Sequence, residues 1–262
     1  MPGNEVFMVR GLYTAYTGMM NQQARLDVIT NNLANASTVG YKKEGSTSET
    51  FHSMFTQKVK DGSEGYLNRR IGQESLGVKI GETYRDYTQG SYKVTGNTYD
   101  VAIDGDGFFN ISFTSKSGET STRYTRAGSF TVNNAGMLVT DDGDYVLGNG
   151  GRIEIPQGAE VVIDENGNIY ADKQYVDTLQ ITDFEDYNYL EKYGENLYVA
   201  IDGATEKTAD CRINQGCLEM SNINVISEMV EMITISRAYE SNQKVIQTID
   251  STLEKSVTLG NL

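Results

Sequence analysis

Apolar positions along the chain follow two different periods. Near the N-terminus, Leu12, Met19, Leu26 and Leu33 are spaced by seven, and Ala15, Gln22, Ile29 and Ala36 follow each of them by three. This a/d heptad spacing predicts a helix over residues 11–36 that packs along another helix. The stripe is thin, with small and amide residues in it, so the helix needs a partner to be stable in water. Asn35, Ser37, Thr38 and Gly40 signal its end. At the far end, Val225, Met232, Tyr239, Ile246 and Leu253 are again spaced by seven, with Ile235, Asn242, Ile249 and Ser256 three after the last four. A second helix of matching period, capped by Asn222 or Asn224, supplies the partner.

Between the two stripes the period changes. Over residues 41–80, Gly45, Gly62, Gly65, Gly72 and Gly77 recur among Ser, Lys and Glu, which reads as an extended connector, either a long hairpin or partly disordered. Over 81–200, short alternating runs such as Phe108 to Phe113, Ser129 to Val132, Val161 to Ile163 and Leu179 to Ile181 are separated by Gly- and Asn-rich turns. That pattern predicts an all-β domain. Two stretches, 132–138 and 163–169, echo each other as similar hairpins rather than as a solenoid repeat. The predicted fold class is α+β: long N- and C-terminal helices (within 1–40 and 221–262) paired as a coiled-coil-like domain, a connector at 41–80, and a central β domain at 81–220 inserted between them. Residues 1–7 are given no structure, as an upstream start or a tail.

Charge sharpens this division. The 22 Lys and Arg against 36 Asp and Glu leave a net charge of −14. Residues 1–40 sum to zero and 221–262 to −2, so the middle holds −12. Near-neutral ends suit burial in contacts, and an acidic middle suits solvation. The surplus of anions argues against nucleic acid and against an anionic membrane surface as partner. There is no signal-peptide h-region and no run near the ~18 apolar residues of a membrane span, which taken alone predicts a cytoplasmic protein without membrane insertion. Cys211 and Cys217 read as free thiols, with a small-loop disulfide as the alternative.

Candidate chemistry is thin. The runs 104–107, 141–144 and 164–168 are rich in Asp, Asn and Gly, but none has the alternate-ligand spacing of a calcium loop, and hairpin turns favour the same residues. The one histidine, His52, has no companion ligand or nucleophile and is expected to be exposed. No Gly-rich phosphate cradle is present, and no carboxylate pair is singled out for glycan hydrolysis. Catalytic, cofactor and metal residues are therefore predicted as none. Gln22 and Asn242 at heptad core positions have a better reading, since a polar core residue specifies register or partner. A register one place off would instead make Asn242 a solvated position.

Three groups of residues carry a family resemblance. Leu12-Tyr13-Thr14-Ala15 with Thr17-Gly18-Met19, then Leu26 to Ile29, Asn31-Asn32-Leu33-Ala34-Asn35 and Gly40-Tyr41-Lys42, resemble the N-terminal signature of bacterial flagellar rod and hook proteins. Gly216 to Val225, Glu228 to Ile233 and Arg237 to Asn242 resemble the C-terminal signature of the same family. Asp100 to Ile103, Gly105 to Phe109 and Tyr124 to Phe130 resemble its central domain. The resemblance implies a non-enzymatic subunit, exported without a cleaved signal through the flagellar type III apparatus. It implies polymerisation with itself and other rod or hook subunits into the basal-body rod, and replaces the cytoplasmic expectation with one crossing the periplasm. It favours Met8 over Met1 as the start. The short segment between Gly194-Glu195-Asn196-Leu197-Tyr198 and Gly216 looks more like a proximal rod protein than a distal rod or hook protein. The expected assembly residues are Leu12, Ala15, Met19, Gln22, Leu26, Ile29, Asn32, Leu33 and Asn35 at one end. At the other they are Val225, Met229, Met232, Ile235, Tyr239, Asn242, Ile246, Ile249 and Leu253. Against this stand two readings of other classes, a β module that binds cell-wall glycan and a hydrolase that cuts it.

Overall fold

The computed structural model describes residues 3–52, 54–57, 70–74, 77–115, 118–194 and 196–260. The chain divides into two compact units, one of Met1–Ala34, Glu44–Asp86 and Asn224–Leu262, the other of Asn35–Lys43 and Tyr87–Ile223.

The first unit holds both long helices, α1 (Gly3–Ala34) and α2 (Val225–Gly260). α1 begins eight residues earlier than the heptad pattern indicates. Residues 4–10 contain no Gly or Pro, so nothing there interrupts a helix. It also ends two residues early, at Ala34, where Thr38 N donates to Asn35 O (3.1 Å) and Gly40 follows at φ +69°. Asn224, not Asn222, caps α2: its Oδ1 accepts from the backbone N–H of Ile226 (3.1 Å) and Ser227 (3.2 Å).

α1 and α2 lie antiparallel. A methyl group placed on Gly11 would sit 3.6 Å from Ile249 Cδ1, and one on Gly18 would sit 3.2 Å from Asn242 Nδ2. Further along, Arg25 pairs with Glu231 (2.9 Å) and Asn32 reaches Glu228 (3.3 Å). The stretch read as a connector forms a long hairpin within the same unit. β1 (Glu44–Thr50) pairs antiparallel with β4 (Val78–Arg85), with a register shift between Ser46 and Ser48. β2 (Met54–Gln57) continues the arms by pairing with β3 (Arg70–Glu74). Gly62 and Gly65 lie outside the described residues. His52 is exposed.

The second unit is antiparallel β throughout. The hairpin of Phe108–Thr114 and Thr120–Thr125 runs through the middle of a ten-stranded sheet. Successive side chains point to opposite faces of a strand, and the adjacent Phe108 and Phe109 show the consequence. Phe109 joins Val101, Phe130, Leu138, Val146 and Ile169 in one core, while Phe108 joins Tyr124, Phe184, Leu190 and Tyr198 in another. The sheet is therefore covered on both faces, and the adjacent Phe108 and Phe109 interrupt the alternation of its central strand. A three-stranded meander, Val161–Ile163, Asn168–Ala171 and Gln174–Thr178, contributes Val161, Ile163 and Ile169 to the first core.

The acidic runs 141–144 and 164–168 are turns, as is the Asn-rich run 133–136, whereas Asp104 and Gly105 of the run 104–107 end a strand, Val101–Gly105. Gly136, Gly143 and Gly167 all have φ between +81° and +91°, and each donates its N–H to the residue three before it, at 2.8–2.9 Å. The two echoing hairpins thus share one turn design. Leu179, expected within a strand, instead lies between strands ending at Thr178 and starting at Ile181; it is buried, and its N–H donates to Gly167 O (2.9 Å). Cys211 and Cys217 are free thiols.

Candidate assembly surface

Three faces of α1 meet three environments. On the face toward α2, Gly11, Gly18, Arg25 and Asn32 meet Ile249, Asn242, Glu231 and Glu228, each one residue before Leu12, Met19, Leu26 and Leu33; of the expected stripe, Ala15 and Ile29 are buried, and Leu12, Met19, Gln22, Leu26 and Leu33 are half-buried. The matching positions of α2 behave alike, with Ile235 buried and Met232, Tyr239, Asn242, Ile246, Ile249 and Leu253 half-buried. These residues spend their apolar surface within one chain. Val225 and Met229, by contrast, are exposed (37% and 47%). Asn35 falls just beyond α1 and is half-buried in the second unit.

The second face of α1 turns toward β1, and of its residues the sequence singles out only Asn32, as an assembly residue rather than as a contact to a strand. Thr17, Asn21 and Asn32 are all buried polar residues. Asn21 Nδ2 donates to Ser48 Oγ on β1 (3.0 Å). Asn32, 1% exposed, works as an extra strand edge: Nδ2 donates to Glu44 O (2.8 Å), and Oδ1 accepts from Glu44 N (3.0 Å). The same Nδ2 reaches Glu228 Oε2 on α2 (3.3 Å). One amide thus satisfies backbone and carboxylate groups that could not be left unpaired in a dry site. Glu228, also 1% exposed, stands in the first turn of α2, where the helix dipole favours an anion. Hydrophobic patterning misses such a face because its contact residues are polar; the Asn-Asn pair 31–32 late in a helix is the only local signal.

The third face of α1 is open. It presents Tyr13, Tyr16 and Met20, each nearly half exposed. α2 likewise presents Ile226, Val230 and Ile233 on the side away from its buried stripe. An open groove beside α2 is lined by Gln22, Arg25, Ile226, Val230, Glu231 and Ile235. Gln22 Oε1 is shielded there and has no hydrogen-bond partner among the described residues.

In the second unit, the chain segments that lead into the two helices are tied together by one carboxylate. Glu219, six residues before α2, is 1% exposed. It accepts from Lys42 Nζ (2.7 Å), Arg126 Nη1 (3.3 Å) and the Gly90 N–H (3.0 Å). Lys42, eight residues after α1, also donates to Thr88 O (2.9 Å), and Arg126 to Gly105 O (2.7 Å). Lys43 N donates to Asn222 Oδ1 (2.8 Å), so the cap candidate Asn222 serves this clasp instead. Gly40 admits no side chain, because a Cβ would run into the Arg126–Ala127 backbone. Each member of the triad sits in a different one of the three motifs that carried the family resemblance.

Elsewhere the strongly perturbed groups are structural. Burial raises the Asp183 carboxyl, but Lys207 Nζ, the Tyr187 hydroxyl and the Phe184 N–H outweigh it and hold the group below the usual carboxylate value. Burial, then the hydrogen bond to Glu206, raises Tyr124. Burial, then Asp142, raises Asp144. No group of three or more metal-ligating side chains occurs among the described residues.

Comparison with known proteins covers the same three parts of the chain. The C-terminal model of the flagellar basal body rod FlgEFG proteins matches residues 214–259, the flagellar hook protein FlgE/F/G D1 domain matches 102–171, and the flagella basal body rod protein model matches 12–42. A flagellar basal-body rod protein FlgG of Bacillus subtilis is 37% identical, the match covering 96% of this chain and 99% of the relative. The FlgG of Caulobacter vibrioides is 36% identical with the same coverage, and the FlgF of that organism is 35% identical over 95% of this chain and 96% of its own. With relatives 35–37% identical matched over 95–96% of its length, and Lys42, Arg126 and Glu219 of the clasp each inside one of the three matched regions, the chain belongs to the flagellar basal-body rod protein family.

Proposed function

We propose that the protein is a structural subunit of the bacterial flagellar basal-body rod, assembling through its helical unit with copies of itself and with other rod and hook subunits. The observation that carries this is the construction of the first unit. Helices from opposite ends of the chain lie antiparallel, with Gly11 beside Ile249, Gly18 beside Asn242, Arg25 bonded to Glu231 and Asn32 to Glu228. We read that pair as a coiled-coil-like shaft element. The clasp at Lys42, Glu219 and Arg126 supports the same reading, since it fixes the two chain segments that carry load into the helices. On this reading the subunit acts by mechanical continuity and catalyses nothing.

The working location is the basal body, reached by export through the flagellar type III apparatus without cleavage of a signal. The proximal place in the rod rests on the short segment from Gly194 to Gly216 and on the likeness of Val146-Leu147-Gly148 before Gly150 to Ile153, and of Val176 to Leu179, to a proximal rod protein. Deleting the gene tests the assignment: cells should lose hook and filament and regain both with the gene restored, whereas filaments retained in its absence would overturn it. Labelled protein in purified basal bodies should lie in the axial structure, at the inner-membrane end if proximal.

A further inference from the structure

We propose that the surface joining neighbouring copies is not the heptad stripe but the two open apolar stripes: Tyr13, Tyr16 and Met20 of α1 in one copy dock on Ile226, Val230 and Ile233 of α2 in the next. This rests on the reading that the chain assembles with itself, and it names where. From Leu12 to Leu33 and from Met232 to Leu253 the heptad stripe is already buried or half-buried within one chain. What remains uncovered is unusual for a surface, with Ile226 76% exposed, Val230 59% and Ile233 54%, at the spacing of one helix face. Tyr13, Tyr16 and Met20 are 47–49% exposed, also on one face.

A second copy suits these stripes for three reasons. Each covers about two helical turns, so they match in length. One offers two rings and a flexible thioether, the other branched aliphatic side chains, a pairing that packs well. Neither contact buries an unpaired charge: residues 13–20 contain none, and in 226–233 Glu228 is turned inward and Glu231 is paired with Arg25. The groove beside Ile226 and Val230 continues the docking surface onto α1 at Gln22 and Arg25.

Their placement decides the symmetry. The helices are antiparallel, so the stripe at 13–20, midway along α1, and the stripe at 226–233, beside the C-terminal end of α1, lie about 14 residues or roughly 20 Å apart along the axis, each on the side of its helix away from the other. Unlike surfaces on opposite sides of the pair make a heterologous contact, which leaves one stripe free on each terminal copy and propagates as an open, staggered array.

Mixing two blocked variants of the full chain tests this. One carries Tyr16→Glu and Met20→Glu, the other Val230→Glu and Ile233→Glu, all outside the α1–α2 seam. Sedimentation should show the wild type forming progressively larger species with concentration. Each variant alone should need at least about tenfold more protein for half-assembly. An equimolar mixture should form one-to-one pairs and stop there, because each pair retains one working contact. Circular dichroism must show unchanged helix content, and the milder Met20→Ser and Ile233→Ser must weaken assembly in the same direction. Variants that assemble like the wild type, a mixture that stays monomeric, or a wild type that stops at a closed dimer would each overturn the proposal while leaving self-assembly intact. A wild type that never associates would overturn the self-assembly reading itself.

Discussion

Glu219 neutralises only one of the two cations bonded to it, in a site where none of the three side chains is more than 3% exposed. Removing a partner from a buried ion pair costs more than the pair contributes, because the remaining charge stays desolvated. Glu219→Ala, leaving Lys42 and Arg126 together, should therefore destabilise the second unit by about 3–5 kcal/mol in urea unfolding. A loss under about 1 kcal/mol would mean that water enters and screens the cations. Asp183 gives a pH-dependent counterpart. Its folded value lies below the unfolded one, about 3.9. The stability it contributes is thus fully present above the unfolded value and is lost as pH falls through the folded one. Asp183→Asn lacks that contribution, so the urea midpoints of wild type and variant should converge below about pH 4. A constant gap down to pH 2 would show that Asp183 does not titrate with unfolding. Neither cluster could be read in the sequence. Glu219 stands 177 residues from Lys42 and 93 from Arg126, and no local pattern pairs charges at such separations.

Among elements, α1 shows what patterning can and cannot reach. Its seam toward α2 repeats every seven residues and is visible in the sequence, as are the turns marked by Gly136, Gly143 and Gly167. Its face toward β1 is invisible, because Thr17, Asn21 and Asn32 look like solvent-facing residues until a strand lies beside them. Hairpin pairing is half legible: the connector admits a long hairpin as one of two readings, but it is Ser- and Gly-rich and carries no apolar alternation, so its strands are held by partners rather than by propensity. Asn32→Ala tests that face. It removes three hydrogen bonds from a site closed to water and should cost the first unit about 3 kcal/mol, read as a loss of helix at lower urea. Leu26→Asp tests the seam. A carboxylate placed against α2 should separate the helices and block assembly while the β unit stays folded, with its near-UV circular dichroism unchanged. Normal assembly of that variant would remove the seam from the design.

At the size of the whole chain, the separation between near-neutral helical ends and an acidic middle acquires a physical meaning. The second unit has two apolar cores, one on each face of its central sheet, and is closed by the Glu219 clasp; the helical unit has a thin seam with Gln22 and Asn242 in it. The cost of ordering side chains and backbone is of the same order everywhere, so the unit with the thinner core opens first. In dilute solution, where neighbouring copies are absent, protease should cut first within α1, α2 and the 44–86 hairpin. The resistant product should begin or end near the clasp, retaining residues 87–223, with the 35–43 segment held to it through Lys42 and Gly40. Mass spectrometry of timed digests reads these ends directly. In assembled material the order should reverse, because the open stripes and the groove are then covered and helix opening carries the added cost of dissociation. Helices as resistant as the sheet in dilute monomer would break this account, since the first unit would then owe nothing to its neighbours.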